Sequence, residues 1–293
     1  MRLDDLEPSD NAHDLGRGGG GFGGGGGGLG GLLGLLPMLL GRKMGIGTIV
    51  IIAIVGFFLF SGGGMSFLGG GGPGGQAAQD QSAKTYDTDA EVFSGRVLTS
   101  LEQTWSQLLP GYRPASLYFY DQQQQSGCGA AQSAMGPFYC PTDQGVYLDT
   151  SFFNQMREQM GAGGDFAEAY VIAHEVGHHI QKLSGIADEV RQRQARAGQA
   201  AGNELQVRME LQADCYAGVW AGQNKDRLDP GDVEEGMTAA HAIGDDTLMR
   251  EAGQAPVESM FTHGTSEQRM RWLKRGIETG DPQQCDTFAA RTL

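Results

Sequence analysis

Glycine is spread so unevenly along this chain that only part of it can build a core. Of 49 glycines in 293 residues, 27 lie in the first 75. A segment that rich in glycine loses much backbone entropy on ordering and has few side chains to bury. The sequence therefore predicts a disordered tail over residues 1–43 and a folded domain over residues 85–293, ample for one hydrophobic core. Charge follows the same division. From Gln76 onward 30 acids oppose 17 bases, within a formal net charge of −14 for the whole chain. Such an acidic domain repels phosphate backbones and argues against nucleic acid as a partner.

Between tail and domain lies Met44–Phe60, MGIGTIVIIAIVGFFLF, with no charged residue. As a helix it would be about 26 Å long, the short end of what crosses a hydrocarbon core. The glycine-rich flanks offer nothing to pack against, and no small-residue cleavage site follows, so an uncleaved transmembrane helix is expected rather than a signal peptide. Arg42 and Lys43 abut its N-terminal end, and nothing charged follows until Asp80. The positive-inside rule then expects a single-pass protein of the inner membrane, with its N-terminus cytoplasmic and its domain periplasmic. Residues 61–84 read as a flexible linker.

All four cysteines, Cys128, Cys140, Cys215 and Cys285, follow this helix, where an oxidising compartment lets them pair. A Cys128–Cys140 bridge is favoured because the two bracket one short segment, which leaves Cys215–Cys285 to tie the C-terminal tail to a helix. No C-x-x-C pair occurs, so a metal site built from cysteine is not expected.

Within the domain, Asp89–Leu109 carries Val92, Phe93, Val97, Leu101, Trp105 and Leu108 at helical spacing, closed by Pro110–Gly111. Ser116–Tyr120 reads as a strand, and Pro137–Cys140 with Val146–Asp149 as a hairpin around PTDQG. From Asp165 on the periodicity is helical: Phe166–Leu183, Leu205–Ala221, Val233–Ala242 and Glu267–Ile277. Thr265 and Gln268 form a capping-box pattern ahead of the last. Strands first and helices afterwards predict an α+β domain with a small sheet.

The chemistry concentrates in His174-Glu175-Val176-Gly177-His178, an H-E-x-x-H sequence inside the apolar stretch AYVIAHEVGHHIQKL. Four residues is just over one helical turn, so both imidazoles leave one face and can close on a single zinc ion, with Glu175 beside them as a base. A catalytic zinc needs a third protein ligand. Glu210 and Asp214, in ELQAD, are again four apart, on a helix whose other residues are largely apolar. Acids so embedded need partners. Glu210 is assigned as the ligand and Asp214 as the acceptor of the spare ring N–H of His174. Glu204 is a competing donor outside that pairing. His179 points about 100° away from the ligand face, which suggests packing, and His241 reads as structural.

HEVGHH followed by ELQADCYAG resembles the gluzincin zinc peptidases. With the glycine-rich N-terminus, the GCG, GPFYCP and VYLD segments and THGTSEQR, the chain is most similar to the bacterial family described as "putative neutral zinc metallopeptidases". The resemblance implies a zincin-like fold, one zinc ion, and hydrolysis of peptide bonds in peptides or unfolded proteins by metal-activated water, with Glu175 as general base. It also implies His263 as the donor to the tetrahedral oxyanion. The Val146–Asp149 strand is expected to be an edge that pairs with extended substrate. The rival expectation is a non-catalytic partner-binding domain whose zinc is structural or absent; Glu175 argues against it, since a structural site has no need of a base.

Overall fold

The computed structural model describes residues 1–17, 86 and 88–293. The stretch expected to cross a membrane, 44–60, and the linker lie outside the described residues. Among the described residues no helix is long and apolar enough to cross a membrane. The fold is α+β. Among the described residues the strands are β1 (Ala12–Arg17), β2 (Ser116–Asp121), β3 (Gln123–Ser126), β4 (Gly129–Gln132), β5 (Phe138–Cys140) and β6 (Gly145–Leu148). The helices are α1 (Asp89–Leu108), α2 (Ser151–Gln159), α3 (Asp165–Leu183), α4 (Ile186–Gln194), α5 (Gln199–Gln223), α6 (Asp232–Ala242), α7 (Asp245–Glu251) and α8 (Ser266–Thr279).

The main sheet has the order β1-β2-β6-β5, with β1, β2 and β6 parallel and β5 antiparallel to β6. Alternation along SLYFY gives its two faces different jobs. Leu117 and Phe119, with Val146 and Leu148, face the helices and join the main core. Tyr120 and Tyr147 turn the other way, against Ala131 and Cys140 under the β3–β4 hairpin.

Two expectations are corrected here. Val146–Asp149 is not an edge: β6 lies between β2 and β5 and is buried along its whole length, so the free edge on this side belongs to β5. Nor are the first residues of the chain a disordered tail. Residues up to Arg17 belong to the folded body, with Leu3 and Ala12 in the core and β1 paired in parallel with β2. Parallel neighbours need a crossover, and α1 lies in the connection between these two.

The helical half is organised around α5, which is buried almost continuously from Met209 to Ala221. It packs between α3 and α8. Against α8 the backbones nearly touch: a Cβ on Gly218 would collide with the Leu273 carbonyl, and one on Gly276 with the Cys215 carbonyl. The capping box of α8 is present, Thr265 accepting from the Gln268 N–H and Gln268 reaching back to the cap. Both disulfides form, Cys128–Cys140 and Cys215–Cys285. The second closes 70 residues of chain onto the middle of α5, a loop whose closure contributes about 4 kcal/mol in the chain-entropy account.

Candidate metal centre

Two helices meet closely at the site because of one glycine. A Cβ on Gly177 would lie 2.9 Å from the Ala213 carbonyl oxygen and 3.0 Å from its Cα. Gly177 stands between the two histidines of the motif on α3, and Ala213 between the two acids on α5. The close approach therefore brings both i,i+4 pairs face to face.

His174, His178 and Glu210 each offer one donor atom, all within 4.8 Å of one another. Glu210 Oε2 lies 3.1 Å from His174 Nε2 and 3.4 Å from His178 Nε2. The far nitrogens are already committed: His174 Nδ1–H donates to Asp214 Oδ1 (2.8 Å), and His178 Nδ1–H to Gln181 Oε1 (2.9 Å). In those tautomers both Nε2 atoms present lone pairs toward a carboxylate, so three acceptors converge on one point. Only a cation, or protons in its place, reconciles them. Burial would lower the His174 imidazole, but Asp214 and Glu210 outweigh it and push it up to about 10. Burial would raise the Glu210 carboxyl, yet His178, His263 and His174 hold it well below the usual range. The donor set of two imidazoles and a carboxylate suits zinc with a further position free.

Around these three lies a supporting layer in which the sequence singles out Asp214 alone. Asp214, 0 % exposed, receives the Tyr170 hydroxyl (2.6 Å) and a two-pronged contact from Arg269, Nε at 3.0 Å and Nη2 at 2.9 Å. Burial would raise its carboxyl; Arg269 and His174 bring it to about 2. Arg269 is 2 % exposed and three and four residues before Trp272 and Leu273, on the apolar face of α8. A lone arginine on such a face was the available signal. Gln181 is held by donating to Met209 O (2.7 Å) and Gln212 Oε1 (3.1 Å), and Gln206 donates to Glu210 Oε1 (2.7 Å).

Glu175 is 8 % exposed and accepts the Tyr139 backbone N–H from β5. Burial raises its carboxyl, offset in part by His174 and His178. His179 does pack: its Nε2–H donates to Arg113 O (2.7 Å), and burial, which lowers its pKa, keeps Nδ1 free to accept from Tyr139 Oη (3.0 Å). It thereby clamps β5 to α3 through Tyr139, the residue whose N–H holds Glu175. His263 lines the same cavity of about 1070 Å³ as His174, Glu175, His178 and Glu210. Its Nδ1 lies 3.3 Å from Asp245 Oδ1, and Asp245 Oδ2 takes the backbone N–H groups of Thr262, His263 and Gly264. Burial would lower His263; Glu210 and Asp245 raise it. His241 is exposed and contributes only its carbonyl, to Ser266. Glu204 pairs with Arg208 at the surface and is not in the metal-donor group.

The sequence model of a family described as "Putative neutral zinc metallopeptidase" matches residues 1–288. The chain belongs to this family. Within the zinc metallopeptidase family it is similar to the uncharacterized protein YpfJ of Escherichia coli K12, 46% identical over 252 residues, covering 84% of this chain and 87% of that protein. It is also similar to the uncharacterized protein Rv2575 of Mycobacterium tuberculosis H37Rv, 42% identical over 207 residues, covering 66% and 69%. No solved structure matches the chain significantly.

Proposed function

We propose that this chain is a zinc-dependent peptidase that hydrolyses internal peptide bonds, with one zinc ion held by His174, His178 and Glu210. The observation that carries the reading is the convergence of these three acceptors in one cavity with a buried carboxylate, Glu175, that is not among them. When bound, the ion supplies Lewis acidity, bringing the pKa of water toward about 7 and polarising a carbonyl.

The chain's own residues supply the rest. Glu175, oriented by the Tyr139 N–H, takes the proton of the attacking water and passes it to the leaving amine. His263, held on its Nδ1 side by Asp245, turns its other nitrogen to the oxygen that becomes negative. The β5 edge lies beside the cavity, where an extended peptide can run alongside it, which favours unfolded or flexible segments.

The test measures bound zinc and hydrolysis of unfolded casein for the full chain and for two variants. Glu175→Gln is expected to keep zinc and lose activity by about 10²- to 10⁴-fold. Glu210→Ala is expected to lose zinc. A wild type that binds zinc yet cleaves no more than Glu175→Gln does would favour a partner-binding domain instead.

A further inference from the structure

The N-terminal segment sits where a single membrane crossing could not leave it. Residues 12–17 form a strand of the main sheet, Ala12, His13 and Asp14 in register with Leu117, Tyr118 and Phe119. This is not a lone edge contact. Glu102 on α1 accepts from both Ser9 Oγ (2.7 Å) and Asn11 Nδ2 (2.8 Å). Arg227, beyond α5, grips Asp5 with both Nη atoms, at 2.6 and 3.0 Å. Gly95, in the middle of α1, has no room for a side chain because a Cβ there would lie 2.7 Å from Pro8 Cβ. Glycine is a poor helix former, so its presence inside α1 fits a helix built to receive this segment. The family match, starting at residue 1, spans the segment and the domain together.

A chain that crossed a bilayer once at residues 44–60 would hold β1 on one side and β2 on the other. Strands on opposite sides of a hydrocarbon core cannot share a hydrogen-bond ladder, whose neighbours lie about 5 Å apart. We propose that residues 1–17 and residues 88–293 occupy the same compartment, on one side of any membrane the protein is attached to. The arrangement with N-terminus cytoplasmic and domain periplasmic is thereby replaced. The proposal is independent of the chemistry at the metal centre.

The described domain holds no free cysteine, so a single added thiol reports its own side. Leu15 and Val257 are 39% and 43% exposed, one on β1 and one in the domain. Full-length Leu15→Cys and Val257→Cys, expressed in E. coli, are treated with an impermeant polyethylene-glycol maleimide as intact spheroplasts and after lysis. Both are expected to label in the same condition. Labelling of one in spheroplasts and of the other only after lysis would overturn the proposal. A His13→Cys/Tyr118→Cys chain provides a second measurement that does not depend on label access. Copper phenanthroline applied to intact membranes should join the two thiols, changing mobility on a non-reducing gel; failure to join them while each reacts singly with maleimide counts against the shared sheet.

Discussion

Replacing Arg269 by methionine tests the reading of the metal centre most sharply, because Arg269 touches none of the three proposed ligands' donor atoms. Methionine keeps most of the side-chain volume and removes the guanidinium. Two hydrogen bonds to Asp214 (3.0 and 2.9 Å), one to Tyr170 Oη (3.1 Å) and one to Ile243 O (3.3 Å) go with it, together with a 3.5 Å contact to His174 Nδ1, the ring nitrogen away from the metal face. Asp214 is then a carboxylate with 0 % exposure that has lost its arginine partner and, of its two charged partners, keeps only His174. Breaking a buried pair in this one-sided way costs about 3–5 kcal/mol. For a domain of this size that is a fall in Tm of about 10 °C. Asp214 also orients His174, and disturbing such a support typically weakens metal affinity about 10- to 100-fold. The assay is urea unfolding of the metal-free chain together with a zinc competition titration, on Arg269→Met, Asp214→Asn and the double variant. The double variant should be less destabilised than the two single costs added together, by about 2 kcal/mol, since a neutral amide in place of the Asp214 carboxylate needs no cation. A single-variant cost below about 1 kcal/mol with additive behaviour, and an unchanged zinc affinity, would refute the claim that Arg269 acts through Asp214 on the site.

Gly177→Ala should separate α3 from α5, because the new Cβ meets backbone atoms of Ala213 rather than a movable side chain. Overpacking of this kind costs about 1–3 kcal/mol, and zinc affinity measured by competition should fall as Glu210 moves away from the histidines. Glu168→Gln addresses pH. Burial, with Asp165 and Glu235, raises the Glu168 carboxyl from 4.5 to about 7 against the opposing effect of Arg157. A raised acid is neutral in both states below its unfolded value; the penalty grows as pH rises from there and is complete above the folded value. The variant should therefore unfold at a higher temperature than wild type at pH 8 and at the same temperature at pH 4; equal gains at both would refute the assignment.

Much of the site is legible in the sequence because it depends on helical geometry. H-E-x-x-H and E-x-x-x-D put their side chains on one face of a helix whatever surrounds them, and the Thr265 capping box is equally local. The β5–β6 hairpin is readable for the same reason, two short β-prone runs around a four-residue turn, Gly145 of the PTDQG stretch being already in β6. The N-terminal strand is not. AHDLGR has no alternation of apolar and polar residues, and its partner β2 lies about a hundred positions away. Its strand character comes from the ladder it joins and not from its own composition.

Strand order and burial divide along the same line. Sequence alone determined which residues could form the metal face, where α1, α3, α6 and α8 start to within a residue, and that the domain would be α+β, since each follows from periodicity and caps within a dozen residues; it placed the start of α5 six residues late and did not show α2, α4 or α7. Only the tertiary structure decided that β5 rather than β6 is the free edge, that Arg269 reaches Asp214, and that the first 17 residues pack on the domain. Those outcomes depend on which distant surfaces come into contact, and a linear pattern carries no record of its neighbours in space.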